Sequence, residues 1–146
     1  MTFVIFSALV LLALTTLVHY EVMGAMNLRL QSLQIPSRRK LLVVVFVAFA
    51  AHALEILLYG LAFYLLVRFV NVGSLVGPAG VSFASCFYFS AETFTSLGFG
   101  DLTPMGSIRF LAGVEALNGL VLIGWTASFL YIAMERFWKI GPIHTR

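Results

Sequence analysis

The sequence predicts an all-α membrane protein with three transmembrane helices and a re-entrant loop between the second and the third. Three observations lead there. The 146 residues are 61% hydrophobic and 10% charged, whereas soluble domains carry about 25% charged residues. Three apolar runs each reach the roughly 20 residues a helix needs to cross the hydrocarbon core. Between the last two runs lies an aromatic stretch that is too short to span and too apolar for an aqueous loop.

The first span runs from Phe3 to about Val22, within an extra N-terminal helix at 1–24. Its opening, "MTFVIFSALVLLALTTLVHYEVM", has no Lys or Arg before Arg29. A signal peptide opens with a basic region, so the segment reads as a retained span. Residues 25–40, "AMNLRLQSLQIPSRRK", read as a cytoplasmic basic loop. Their apolar positions Leu28, Leu30, Leu33 and Ile35 fit an interfacial helix equally well. The second span occupies 41–70 and the third 107–134, followed by a cytoplasmic tail at 135–146.

All but two of the nine basic residues flank just two span ends: Arg29, Arg38, Arg39 and Lys40, then Arg136, Lys139 and Arg146. The positive-inside rule places both ends in the cytoplasm. The N-terminus then lies outside and the C-terminus inside, in the plasma (inner) membrane. Phe137 and Trp138 fit an inner aromatic belt.

The connection from Asn71 to Ser107 opens with turn residues Gly73, Gly77, Pro78 and Gly80. Next comes "VSFASCFYFSAETFTS", which predicts a short helix over 83–95 with Ser82 as its N-cap. The polar stretch "SAETFTSLGFGDLTP", Ser90–Pro104, follows without a break. Non-helical backbone at membrane depth is tolerated where it is buried in protein or lines a water-filled cavity. In "TSLGFGD", glycines alternate with large apolar residues, and glycine accepts positive φ. Alternating backbone hand would point successive carbonyls one way, and four such strands would stack carbonyl rings that replace an ion's hydration shell. The preceding short helix would aim its negative C-terminal end at the same axis.

"ETFTSLGFGDLTP" resembles the pore signature of the potassium channels, whose filter reads Thr-Val-Gly-Tyr-Gly-Asp. The matching residues are Ser96, Leu97, Gly98, Phe99, Gly100 and Asp101, and the resemblance covers about Leu41 to Met134. It implies a filter at 96–101 in a homotetrameric pore, with potassium held by carbonyls of Ser96, Leu97, Gly98 and Phe99 and by the Ser96 hydroxyl. Gly98 and Gly100 would permit the twist, with Gly100 completing the ion-binding stretch. Glu92, Thr95 and Asp101 would support the filter, the two carboxylates bracing it from behind and sharing a proton. Gly119, ten residues after Arg109, falls where many members place a gating hinge; a small helix contact is the alternative. Two positions depart from the pattern. Ser96 replaces Thr and loses a methyl that orients the hydroxyl. Phe99 replaces Tyr and has no hydroxyl to anchor.

Four further polar residues of the second and third spans are candidate sites. His52 and Glu55 share a helix face at i, i+3. A mid-span charge costs at least ~2.5 kcal/mol on insertion scales, so the pair is either a protonation-sensitive gate or a neutral, hydrogen-bonded pair fixing the first span. Glu115 either bonds the back of the pore helix or faces the ion path, and Asn118 poses the same choice. The implied partners are potassium ions, the bilayer and further copies of the chain, with no other cofactor. A lone Cys86 excludes an internal disulfide, and the scattered basic residues provide no nucleic-acid face. No enzyme is implied: the acidic residues and histidines lack a nucleophile motif, and Ser90 with His52 is the remotely placed hydrolase pair. The alternatives are a weakly selective cation channel and a non-conducting membrane subunit that binds a partner.

Overall fold

A computed structural model describes residues 1–78 and 80–138. In chain order it contains α1 (Thr2–Ser32), α2 (Ser37–Leu65), a π-helical turn (Leu66–Val70), β1 (Gly73–Val76), α3 (Phe83–Phe94), β2 (Thr103–Gly106) and α4 (Ile108–Trp138). Among the described residues, three helices are long and apolar enough to cross a membrane: Thr2–Ser32, Ser37–Val70 and Ile108–Phe137. The third segment of helix, α3, is too short to span. The last part of the expected tail, 139–146, lies outside the described residues.

α1 is apolar all round, so its packing face is set by size and polarity rather than by hydrophobicity. Its buried residues are Val4, Ala8, Leu11, Thr15, His19, Met23, Met26 and Leu30. They recur every three or four positions and form one stripe, while Phe3, Phe6, Leu9 and Leu17 face outward. Two of the stripe residues, Thr15 and His19, are polar and fully buried.

α1 does not end near residue 24. It continues through Ser32, leaving four residues before α2, so the basic segment at 25–40 is mostly helix. The reason is packing. Met26 and Leu30 join Val44, Ala133 and Phe137 in a second apolar cluster, with the Lys40 ammonium 5.4 Å from the Phe137 ring. The chain turns at Pro36, which disfavours helix in the residue before it.

The main core lies where α2, α3 and α4 meet. Tyr59, Phe63, Phe94, Ile108, Leu111 and Leu122 are fully buried there, and Phe63 meets Phe89 edge-to-face at 5.1 Å. α2 approaches α3 closely at Gly60, where a Cβ would lie 3.0 Å from Phe87 Cα. The π turn ends at Asn71, whose φ of 53° redirects the chain.

The antiparallel ribbon of β1 and β2 pairs Gly73 with Gly106 and Val76 with Thr103. It ties the end of α2 to the start of α4 and so closes the loop that carries α3. Gly106 sits at φ 75°, with room for a Cβ limited by Gly73 Cα at 3.1 Å. Pro104 is tolerated because the strand is an edge.

Candidate functional site: the loop after α3 and the polar ring beside it

α3 begins where Ser82 accepts a hydrogen bond from the Ser85 amide at 3.0 Å. This satisfies one of the free donors of its first turn. Its other end delivers the polar stretch. Thr95 is still right-handed, at φ −81°. Then Ser96, Gly98 and Gly100 adopt φ of 57°, 52° and 81°, with Leu97 and Phe99 between them outside the positive-φ region. Backbone hand therefore alternates residue by residue over five positions.

The left-handed conformation at Ser96 gives its small side chain a physical role. Positive φ is uncommon for any residue with a Cβ and an outlier for a β-branched one. Serine at this position thus fits the backbone better than threonine would.

The back of the strand is tied to a single residue. The Glu92 carbonyl accepts from the Leu97 amide at 2.8 Å and the Gly98 amide at 3.2 Å. The Glu92 carboxylate accepts from the Phe99 amide at 3.1 Å. Three consecutive amides are thereby held on α3. Burial raises the Glu92 carboxyl above the ordinary 4.5, with the Asp101 charge adding to the rise and the Phe99 N–H opposing it.

Asp101 turns elsewhere. It accepts from its neighbour's Leu102 amide at 3.1 Å and, more loosely, from the Tyr88 hydroxyl at 3.5 Å. The two carboxylates thus bond different groups rather than each other. The Thr95 hydroxyl donates back to the Ala91 carbonyl at 2.7 Å, beside the Thr95 amide that reaches the same carbonyl at 3.2 Å.

Facing away from Glu92, the strand is bare. Ser96 through Asp101 are all exposed, including Leu97 at 58% and Phe99 at 67%.

The polar residues of the spans are placed behind this loop. Glu115 is fully buried and accepts from the Ser90 hydroxyl on α3, which also reaches the Ile56 carbonyl at 2.8 Å. Ser90 and His52 do not pair. Asn118 donates to Thr15 at 2.7 Å and to Tyr59 at 3.2 Å, joining α1, α2 and α4. Gly119 lies against α3 so closely that a Cβ would run into the Phe94 carbonyl. That close approach accounts for glycine there without any hinge.

His52 and Glu55 do bond, at 2.8 Å. Sequence reasoning missed their third partner: His19 of α1 bonds the other Glu55 oxygen at 2.9 Å. Thr126 of α4 closes the group, 3.0 Å from His52 and 3.3 Å from His19. A histidine inside the apolar run of α1 was the available signal. Its partners could not be read without knowing how the helices face. The two imidazoles stack with centroids 5.3 Å apart, and the His52 ring lies 5.7 Å from Phe94 at the end of α3. A cavity of about 470 Å³ opens beside them, lined by His52, Thr126, Phe94 and Thr95 among apolar side chains.

A family model described as "Ion channel" matches residues 41–136. The chain belongs to this ion-channel family. The match takes in most of α2, α3, the alternating strand and most of α4, and leaves α1 outside. The family is one of channels, not of enzymes, and the three apolar helices among the described residues of this chain make it a multi-pass membrane protein. The channel is also similar to the inward rectifier potassium channel Kirbac3.1 of Paramagnetospirillum magnetotacticum, with 36% identity over 56 residues. That likeness covers 38% of this chain and 19% of the relative, so it spans about a fifth of the relative's length. No solved structure matches the channel.

Proposed function

We propose that the chain is a potassium-selective channel in which four copies surround a central axis and ions permeate passively. The observation that carries this reading is the alternation of backbone hand at Ser96, Gly98 and Gly100, on an exposed strand that leaves the C-terminus of a short helix. Such a strand offers the Ser96, Leu97, Gly98 and Phe99 carbonyls to a partly dehydrated cation, and rings of carbonyls replace its water shell. The Ser96 hydroxyl adds a ligand at the inner end. The C-terminal end of α3 supplies a favourable negative potential. Adjacent occupied sites repel, so each entering ion displaces the next.

The exposed Leu97 and Phe99 support assembly, since apolar side chains beside an ion path need protein cover. The potassium channel among the relatives supports the choice of ion. The basic flanks support an outside N-terminus and a cytoplasmic C-terminus, in a plasma membrane.

Purified full-length protein in liposomes tests the reading. Potassium efflux should appear with the wild type and vanish with Gly98→Ala. Protein-independent efflux, or equal efflux from the variant, would reject the filter as the path. The phenyl ring at Phe99 favours one second reading, a weakly selective cation channel, because nothing polar on that ring anchors the filter from outside. Sodium flux comparable to potassium flux would establish it.

A further inference from the structure

His19, Glu55, His52 and Thr126 form a closed ring of four hydrogen bonds across α1, α2 and α4. Each imidazole meets a Glu55 oxygen through Nδ1 and the Thr126 hydroxyl through Nε2. Every one of these contacts needs one proton between its two heavy atoms. The Thr126 hydroxyl brings one, so three more must come from the carboxylate and the imidazoles. An ionised carboxylate with two neutral imidazoles has two.

We infer that the ring is a proton-binding site that holds one further proton and is neutral as a whole. With two protons the cluster carries one negative charge, and one Nε2 faces the Thr126 oxygen with nothing between them. With four it carries a positive charge. Either charge is costly within a bilayer, and an unmade bond at a buried polar atom adds to the penalty. The third proton has several homes. It makes either histidine an imidazolium, or it rests on Glu55 while the two histidines take opposite tautomers. These forms interconvert by moving protons along existing bonds and rotating one hydroxyl. The invariant is the count.

The surroundings leave this balance to the ring itself. α1 contributes His19, α2 contributes His52 and Glu55, and α4 contributes Thr126 and the Trp125 ring, 5.3 Å from His19. From α3, Phe94 covers His52. Tyr59, one turn along α2, bonds Asn118, and Glu115 of α4 bonds Ser90. His19 and Glu55 are fully buried, whereas His52 is 16% exposed and lines the cavity beside α3. His52 is therefore the door for the proton. The ring also gives α1 one proton-dependent contact, through His19.

The direct test counts protons in the full chain in liposomes at pH 8, where solvated imidazoles are neutral (pKa about 6.5). Nitrogen-15 spectra of the imidazoles are read together with the Glu55 carboxyl signal, in a His144→Gln background that removes the remaining histidine. The expected result is three protons: an imidazolium beside an ionised carboxylate, or a protonated carboxyl beside two neutral imidazoles. Two neutral imidazoles with an ionised carboxylate would overturn the inference.

Glu55→Gln provides the second arm. An amide donates one hydrogen bond and accepts another, so two neutral histidines and Thr126 then close all four bonds without a further proton. From about pH 8 to 9, where the imidazoles of the unfolded chain are neutral, the folded wild type holds one proton more than the unfolded chain, and raising the pH removes stability. Its unfolding equilibrium should therefore shift toward unfolding by up to tenfold per pH unit. Glu55→Gln should lose that slope. Equal slopes in the two proteins would refute the proton site. Neither readout depends on ion conduction, so its failure is distinct from failure of the channel reading.

Discussion

Two polar regions lie side by side in this chain, and they are finished to different degrees. The ring around Glu55 is complete within one copy: four groups, four bonds, two residues fully buried. The strand at 96–101 is satisfied on its back, by Glu92, and bare on its front. Both must overcome the cost of polar groups at membrane depth. The first does so with side chains from three helices. The second leaves its carbonyls to whatever lies on the open side, which in our reading is permeant ions and other copies. The contrast separates what one chain builds alone from what needs assembly.

The largest effect should come from the strand. Gly98 is at φ 52°, and a Cβ there meets no neighbour within 4 Å, so alanine is penalised by backbone strain of about 1–2 kcal/mol per copy. Gly98→Ala should reduce potassium flux to background while the protein still purifies as a folded species. A variant that neither folds nor assembles would mean that the strand shapes the fold and not just the path.

Next comes the brace. Glu92→Ala removes the Phe99 acceptor and should cut flux at least tenfold or admit sodium, as seen in ion-substitution recordings. Glu92 also predicts a pH limb. Its carboxyl is raised above 4.5 by burial, so on acidification it gains a proton at a higher pH than an ordinary glutamate, and a protonated carboxyl is a poorer acceptor. Flux should fall as pH falls. Glu92→Gln keeps an oxygen for the Phe99 amide and should flatten this limb. An unchanged acid limb in that variant would shift its origin to another group.

A third comparison lies within α4. Gly119→Ala drives a Cβ into the Phe94 carbonyl, whereas a Cβ at Gly113 or Gly124 meets nothing within 4 Å. Thermal unfolding should register a loss of about 1–3 kcal/mol for Gly119→Ala, the usual cost of overpacking. Gly113→Ala and Gly124→Ala should be neutral or stabilise the unassembled chain by up to about 1 kcal/mol, because alanine is the better helix former. Equal effects at all three sites would favour a general need for helix flexibility.

The smallest effect concerns α1. Asn118→Ala removes the donor to Thr15 and Tyr59 and should weaken stability by about 1 kcal/mol. Flux should change little, because these bonds lie behind α3 and away from the strand.

The spans were readable because length and hydropathy alone specify a membrane helix. The α3 boundary was readable because Ser82 is a helix-capping residue that precedes an aromatic run. Other features depended on contacts that no local pattern carries. α1 runs through Arg29 to Ser32 because Met26 and Leu30 find Val44 and Phe137, whereas charge alone pointed to a loop. The strands of the ribbon are four residues each, too short for a two-residue alternation to show. In the site, the glycines advertised positive φ, but Ser96 did not. Glu55 and His52 announced themselves by spacing. His19, distant in sequence on a helix that is apolar on every side, did not.

The reversal potential of the purified channel, with potassium on one side of the bilayer and sodium on the other, tests the central claim most directly. A potential close to the potassium equilibrium value is expected, abolished together with the current in Gly98→Ala. A potential near zero with current intact would contradict it, and would leave a cation pore without a potassium filter.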